Sequence, residues 1–194
     1  MHKHDSYYRQ AKAHGYRSRA AYKLQQINNK FKLIRRGNVV LDLGAAPGGW
    51  LQVASELVGE KGKVLGVDLN RIKELPNVTL LIGDITDPKL IDSIKAHLSD
   101  GCVDVVISDV APNISGNYSI DQARSVFLAK AALNLAKQFL RPNGNFVVKV
   151  FEGEDFQEFF NQLKKLFRQS KKFSPQASRA RSSEIYVIGL GFKK

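Results

Sequence analysis

Cysteine is nearly absent: Cys102 stands alone in 194 residues. A lone thiol excludes an intramolecular disulfide and leaves no thiolate cluster for a metal. Of the histidines His2, His4, His14 and His97, the first three sit in the basic N-terminal stretch with no acid cluster nearby, and no metal site is expected. No stretch approaches the roughly 18 apolar residues of a membrane-spanning helix, and no apolar signal segment opens the chain. The expectation is a cytoplasmic protein with no membrane partner. Two nucleotide motifs are also missing. Nothing reads Gly-x-Gly-x-x-Gly, and no Gly-Lys-Ser/Thr closes a phosphate loop.

Acids are scarce at both ends. Residues 1–36 hold ten Lys/Arg against Asp5, and residues 161–194 hold nine against Glu184. The centre is net acidic, while the whole carries +12. A merely soluble protein mixes signs over its surface. Two basic ends around an acidic centre read as a polyanion platform flanking a cofactor half. Hydrophobic content of 43% with 25% charged residues suits one globular domain over 1–194. Residues 1–17 interleave Tyr7, Tyr8 and Tyr16 with Arg9, Lys12 and Arg17, a pattern for an RNA-contacting arm that is partly mobile without RNA.

The chain is organised around residues 39–50. Val39 to Leu43 is an apolar run broken by Asp42, the length of one buried parallel strand. Gly44, Pro47, Gly48 and Gly49 make a turn, and Trp50 opens an amphipathic helix. A strand, a glycine turn and a helix leave backbone N–H groups free beside the helix N-terminus, which makes a ligand site. The next strands, 62–68, 78–82 and 103–107, end in or just before Asp68, Asp84 and Asp109. Carboxylates at the ends of parallel strands face the ligand crevice. Three of them would repel a pyrophosphate and suit a ligand with ribose, adenine and cationic centres. S-adenosyl-L-methionine fits that description.

The remaining pattern predicts a helix over 18–29 capped by Ser18, and a crossover helix over 88–98. A long helix follows from Asp121, burying Ala123, Val126, Phe127, Leu133, Leu135, Ala136 and Leu140 and stopped by Arg141-Pro-Asn-Gly144. A strand over 145–150 carries Lys149. A helix over 154–169, a short strand over 171–175 and a last antiparallel strand over 184–192 complete the chain. The expected class is α/β: a mostly parallel seven-stranded sheet with helices on both faces.

Five separated motifs carry a family resemblance. They are Tyr-Arg-Ser-Arg-Ala-Ala-Tyr-Lys-Leu at 16–24, Asp-Leu-Gly-Ala-Ala-Pro-Gly-Gly-Trp at 42–50, Ser-Asp-Val-Ala-Pro-Asn at 108–113, Val-Val-Lys-Val-Phe at 147–151 and Ser-Arg-Ala-Arg-Ser-Ser-Glu at 178–184. In this order they resemble the FtsJ-like (RlmE-type) RNA 2′-O-ribose methyltransferases, from about Tyr7 to the C-terminus. The resemblance implies a Rossmann-like S-adenosylmethionine-dependent fold. It also implies a Lys-Asp-Lys-Glu tetrad matched by Lys23, Asp109, Lys149 and Glu184. It puts the cofactor on Gly44, Pro47, Gly48, Trp50, Asp68, Asp84 and Asp109. Asp68 would take the ribose hydroxyls, Asp84 the adenine amine, and Trp50 would wall the methionine end. Arg17, Arg19, Arg179 and Arg181 would grip RNA.

The chemistry suits those residue types. A ribose 2′-hydroxyl is a weak nucleophile until its proton is removed, and methyl transfer from a sulfonium needs in-line positioning. A lysine inside an apolar strand is costly without a partner, which marks Lys149 as the base. Asp109 and Glu184 would orient the ammonium groups. The implied substrate is a uridine ribose in the peptidyl-transferase A-loop of large-subunit ribosomal RNA, modified on the assembled subunit by a monomer. The competing expectations are a transfer-RNA anticodon-loop ribose methyltransferase and a non-catalytic RNA-binding ribosome-assembly factor.

Overall fold

The computed structural model describes residues 4–178 and 183–193. Seven strands form one sheet in the order β3-β2-β1-β4-β5-β7-β6. They are β1 (Val39–Leu43), β2 (Lys63–Asp68), β3 (Val78–Ile82), β4 (Val103–Ser108), β5 (Leu140–Phe151), β6 (Phe167–Phe173) and β7 (Glu184–Phe192). The pairs β1–β2, β1–β4, β2–β3 and β4–β5 are parallel. β7 lies antiparallel between β5 and β6. The expected mostly parallel sheet with an antiparallel last strand is what forms.

Alternation along the strands splits the core into two layers. Leu41, Leu43, Val106, Val148 and Val150 pack on one face with α5 (Tyr118–Phe139) and α6 (Phe156–Leu166). Val40, Val105, Ile107, Val147 and Tyr186 pack on the other with α2 (Ala21–Phe31) and α3 (Gly49–Val58). Phe139, Phe146, Phe159 and Phe167 are fully buried, and cutting any of them to Ala should cost about 3–5 kcal/mol.

Several elements depart from expectation. α2 starts at Ala21 rather than Ser18, with Ala20 at its cap and no side-chain cap bond. The carbonyl of Ser18 accepts from Ala21 N instead, in a turn ahead of the helix. α4 spans only Leu90–Lys95. α5 starts earlier than Asp121, at Tyr118, where the Asn117 side chain accepts from Ile120 N. Ala123 and Phe127 are exposed, and Gln122 and Ser125 are buried in their place. The packed face of α5 therefore turns polar toward the strand ends, where Ser125 Oγ accepts from Phe151 N at 3.0 Å.

Leu140 belongs to β5, because Arg141-Pro-Asn-Gly144 is a register shift inside that strand rather than a stop between elements. Val103 pairs with Leu140 and Val105 with Asn145. Asn143, at φ 66°, takes the left-handed conformation that absorbs the extra residues. α6 ends at Leu166 and β6 follows at once, four residues ahead of the expected strand. Part of the basic N-terminal stretch is helical, α1 (His4–Ala13). Ala11 is buried, the Tyr7 and Tyr22 rings lie 5.5 Å apart, and Tyr16 Oη donates to Glu56 at 2.9 Å.

Candidate active site

The turn after β1 is built by bonds to β2. Gly44 N and Ala45 N donate to the Val67 carbonyl at 2.9 and 3.1 Å, and Ala46 N donates to Asp68 Oδ2 at 2.9 Å. Gly44 has φ +74°, and a Cβ there would lie 2.7 Å from Val110 Cβ. Only glycine lets the two strand-end loops approach this closely. Asp68 Oδ1 accepts from Asn70 N at 2.8 Å, and Asp84 Oδ1 from Thr86 N at 2.8 Å. Both carboxylates are thus fixed by the loops that follow their strands.

A cavity of about 330 Å³ opens over these loops, lined by Gly44, Ala46, Asp68, Asp84, Asp109, Val110 and Asn113 among others. Its volume and carboxylate rim fit a nucleoside with cationic groups. Pro47, Gly48 and Trp50 do not line it. Trp50 is 3% exposed, donates Nε1–H to the Ala20 carbonyl at 2.8 Å, and sets its ring 5.8 Å from Tyr186. It backs the turn from the core, packed between Ala20 and Tyr186. Gly48 sits against Arg17, where a Cβ would come within 2.8 Å of the guanidinium.

The tetrad assembles at the ends of β4, β5 and β7. Register explains the convergence: Lys149 stands opposite Tyr186, and Phe151 opposite Glu184. Glu184 and Tyr186, two apart, project to the same face as Lys149. The Lys149 ammonium donates to the Asp109 carbonyl at 2.8 Å, and lies 3.1 Å from Asp109 Oδ1 and 3.8 Å from Glu184 Oε1. The other oxygen of Glu184 holds the Lys23 ammonium at 3.2 Å. Lys23 and Lys149 are 9% and 5% exposed. Two buried cations beside two carboxylates, of which Glu184 touches both, are electrically balanced, which makes their burial tolerable.

Three contributors are ones that the sequence pattern did not mark. Tyr186 is fully buried and donates its hydroxyl to Asp109 Oδ1 at 2.6 Å. Burial first, then the charge and hydrogen bond of Asp109, push its hydroxyl well above the usual tyrosine range, so it stays a donor. Asp121, read from sequence only as a helix start, takes Ser115 N at 2.8 Å, Ser115 Oγ at 2.7 Å and Gly116 N at 3.2 Å. Those bonds fix the turn ahead of α5 and lower its pKa. Asp42 is 0% exposed, and its carboxyl oxygens make no hydrogen bond to the described residues. Burial, then the charges of Asp109 and Asp68, push its carboxyl well above the usual carboxylate range.

A second cleft, of about 550 Å³, adjoins the tetrad on the side of Lys23 and Glu184. Arg19 lines it and donates to the Ala177 carbonyl at 2.7 Å. Arg17, expected as an RNA contact, is engaged by the chain's own backbone. Its guanidinium donates to the carbonyls of Lys73 at 2.6 Å, Glu74 at 2.8 Å and Pro47 at 3.4 Å, tying the glycine turn to the segment after β2. Arg179 and Arg181 lie outside the described residues. Among the described residues no cluster of His, Cys, Asp or Glu could hold a metal ion, and no helix is long and apolar enough to cross a membrane.

A buried lysine held between a strand-end carboxylate and a glutamate, with a nucleoside-sized cavity on one side and a wider cleft on the other, is equipped to bring two ligands together. Known proteins resemble this chain in sequence and fold. A family model described as FtsJ-like methyltransferase matches residues 16–192. The chain is 56% identical over 190 residues to a protein of Archaeoglobus fulgidus named Ribosomal RNA large subunit methyltransferase E, covering 98% of this chain and 97% of that one. A Methanothrix thermoacetophila protein of the same name is 55% identical over 185 residues, 95% of this chain and 71% of its own. Among solved structures, a protein of Plasmodium falciparum described as a ribosomal RNA methyltransferase superposes with a TM-score of 0.83 at 29% identity, over 91% of this chain and 98% of that one. Fibrillarin of Aeropyrum pernix, solved with S-adenosyl-L-methionine, gives a TM-score of 0.62 at 18% identity, over 90% of this chain and 75% of its own, a likeness of fold.

Proposed function

Because the chain belongs to the FtsJ-like methyltransferase family, we propose that it methylates a ribose 2′-hydroxyl of large-subunit ribosomal RNA, at a uridine of the peptidyl-transferase A-loop, with S-adenosyl-L-methionine as donor. The observation that carries this is the Lys149 ammonium, held between Asp109, which lines the smaller cavity, and Glu184, which lines the wider cleft. The sulfonium, when bound, supplies the activated methyl group. Asp68 and Asp84, which line the smaller cavity, would hold the nucleoside half of the cofactor, and Asp109 would face its cationic end. Gly44 lets the backbone come close. Lys149, as the neutral amine, accepts or relays the hydroxyl proton, while Lys23 and Glu184 keep it aimed. Tyr186 fixes the Asp109 carboxylate that both ligands share.

Catalysis here is chiefly positioning, since in-line displacement needs the hydroxyl, the methyl carbon and the sulfur in one line. The enzyme works as a cytoplasmic monomer on the assembled subunit. The test is transfer of tritium from labelled cofactor to undermethylated large subunits, with nuclease digestion to locate the label on ribose. Label on a transfer RNA instead would move the substrate to the anticodon loop. No transfer to either RNA would leave an assembly factor.

A further inference from the structure

We propose that the ring of Tyr118 is the platform on which the base of the target nucleotide stacks while its ribose reaches Lys149. This rests on the function proposed above and names how that site holds its substrate. The wider cleft has two unlike walls, because they come from opposite layers of the fold. Ser18, Arg19 and Lys23 enter from the α2 side, and Ile114 and Tyr118 from the α5 side. Phe151 and Glu184, at the ends of β5 and β7, form the floor. A nucleotide has the same asymmetry: an anionic phosphate on one side and a flat apolar base on the other.

Tyr118 is 56% exposed and Ile114 66%, large apolar groups left in water at the mouth of the cleft. The tyrosine is nonetheless held at both ends. Its hydroxyl donates to the Glu152 carbonyl, and its backbone is the first turn of α5 behind the Asn117 cap. Asp121 fixes the turn before it through Ser115 and Gly116. An aromatic face that is exposed but immobilised loses little freedom when a base lands on it. Every base has a π face, so the platform accepts any of the four and leaves the choice of nucleotide to the surrounding RNA.

The test uses short single-stranded oligoribonucleotides, each carrying 2-aminopurine at one position, with the full-length protein and its cofactor. Wild-type protein and Tyr118→Phe should quench the fluorescence at one position of the series, and Tyr118→Leu, of similar bulk without a ring face, should not. In methyl transfer, Tyr118→Leu should raise the KM for RNA by about 5- to 150-fold, the range of one base–aromatic stack. Cofactor affinity by calorimetry should be unchanged. Equal quenching by wild type and Tyr118→Leu overturns the platform, as does the absence of quenching at every position. Quenching by a wild type that transfers no methyl supports the platform and removes the methyl-transfer reading instead.

Discussion

Lys149 and Tyr186 stand opposite one another across the β5–β7 ladder, and both close on Asp109 Oδ1, at 3.1 and 2.6 Å. One carboxylate oxygen therefore takes a cation and a hydroxyl from two neighbouring strands. Its carboxylate also faces the smaller cavity. In the proposed reaction, a group that fixes Asp109 would fix the methyl donor and the base relative to each other.

Replacement of Lys149 separates charge from proton transfer. Lys149→Arg keeps a cation, but a guanidinium does not release its proton near neutral pH and is planar where the ammonium is compact. It should be nearly as inactive as Lys149→Ala, while both retain cofactor and RNA binding. The comparison is single-turnover methyl transfer beside calorimetric cofactor titration. Near-wild-type turnover by the arginine variant would show a fixed-charge role and remove the base.

Tyr186→Phe keeps the buried ring and loses the bond to Asp109. A hydrogen bond to a charged group contributes about 1.5–3 kcal/mol, so kcat should fall roughly 10- to 150-fold. Tyr186 has a second signature. An unfolded tyrosine ionises near pH 10, whereas the buried one stays protonated above that. The folded chain then binds the extra proton, so this part of its stability is present below about pH 10 and lost as pH rises further. Melting followed between about pH 9 and 11 should show a shallower alkaline decline for Tyr186→Phe. Unchanged kcat and an unchanged decline would mean that the bond matters to neither.

How much of this was legible follows from what each residue type advertises. β1 and β3 were readable to the residue because apolar runs ending at Gly or Asp have one natural boundary. Lys149 showed itself as a charge inside such a run. Tyr186 did not, since a tyrosine among Ile185, Val187 and Ile188 reads as core until the register sets it across from a lysine. Arg17 looked like a surface cation because its acceptor, the Lys73 carbonyl, lies 56 positions away and backbone carbonyls leave no mark in a sequence. Ser18 had the composition of a cap, but the turn before Ala21 already carried the chain past it.

Asp42 gives a prediction in stability. An unfolded aspartate ionises near pH 3.9, while the buried carboxyl stays protonated well above that. The unfolded chain sheds its proton first, so stability falls as pH rises from about 4 toward the folded value. Asp42→Asn has the same shape and no proton to lose. Its Tm should exceed the parent's near pH 7 and approach it near pH 4, each kcal/mol gained being worth about 2–4 °C. Calorimetric melting at the two pH values decides it. A Tm gap that does not change with pH would mean that Asp42 is not held protonated.

The basic ends of the chain divide, in the structure, into cations that build the fold and cations that face water, and only the second kind should bind RNA. Arg17 belongs to the first, with three carbonyls on its guanidinium. Lys164 and Lys172 lie over the Phe160 ring at 4.7 and 5.0 Å, partly spent on packing. Lys165, Arg168 and Lys171 are exposed along the end of α6 and the edge strand β6, with no acid between residues 159 and 178. Phe173, at the end of that strand, pairs with Tyr186. The exposed row therefore runs along the sheet edge toward the tetrad. Replacing Lys165, Arg168 and Lys171 together with Ala should make the slope of log affinity against log salt less negative by about 2–3, at roughly 0.7–0.9 per lost phosphate contact. Cofactor affinity and Tm should barely move. Arg17→Ala should do the opposite, lowering Tm and loosening cofactor binding while leaving the salt slope close to wild type. Filter binding to large-subunit RNA over a salt series, with melting of each variant, reads both. An unchanged slope in the triple variant would take the β6 edge out of the RNA surface, and a flattened slope in Arg17→Ala would return that residue to it.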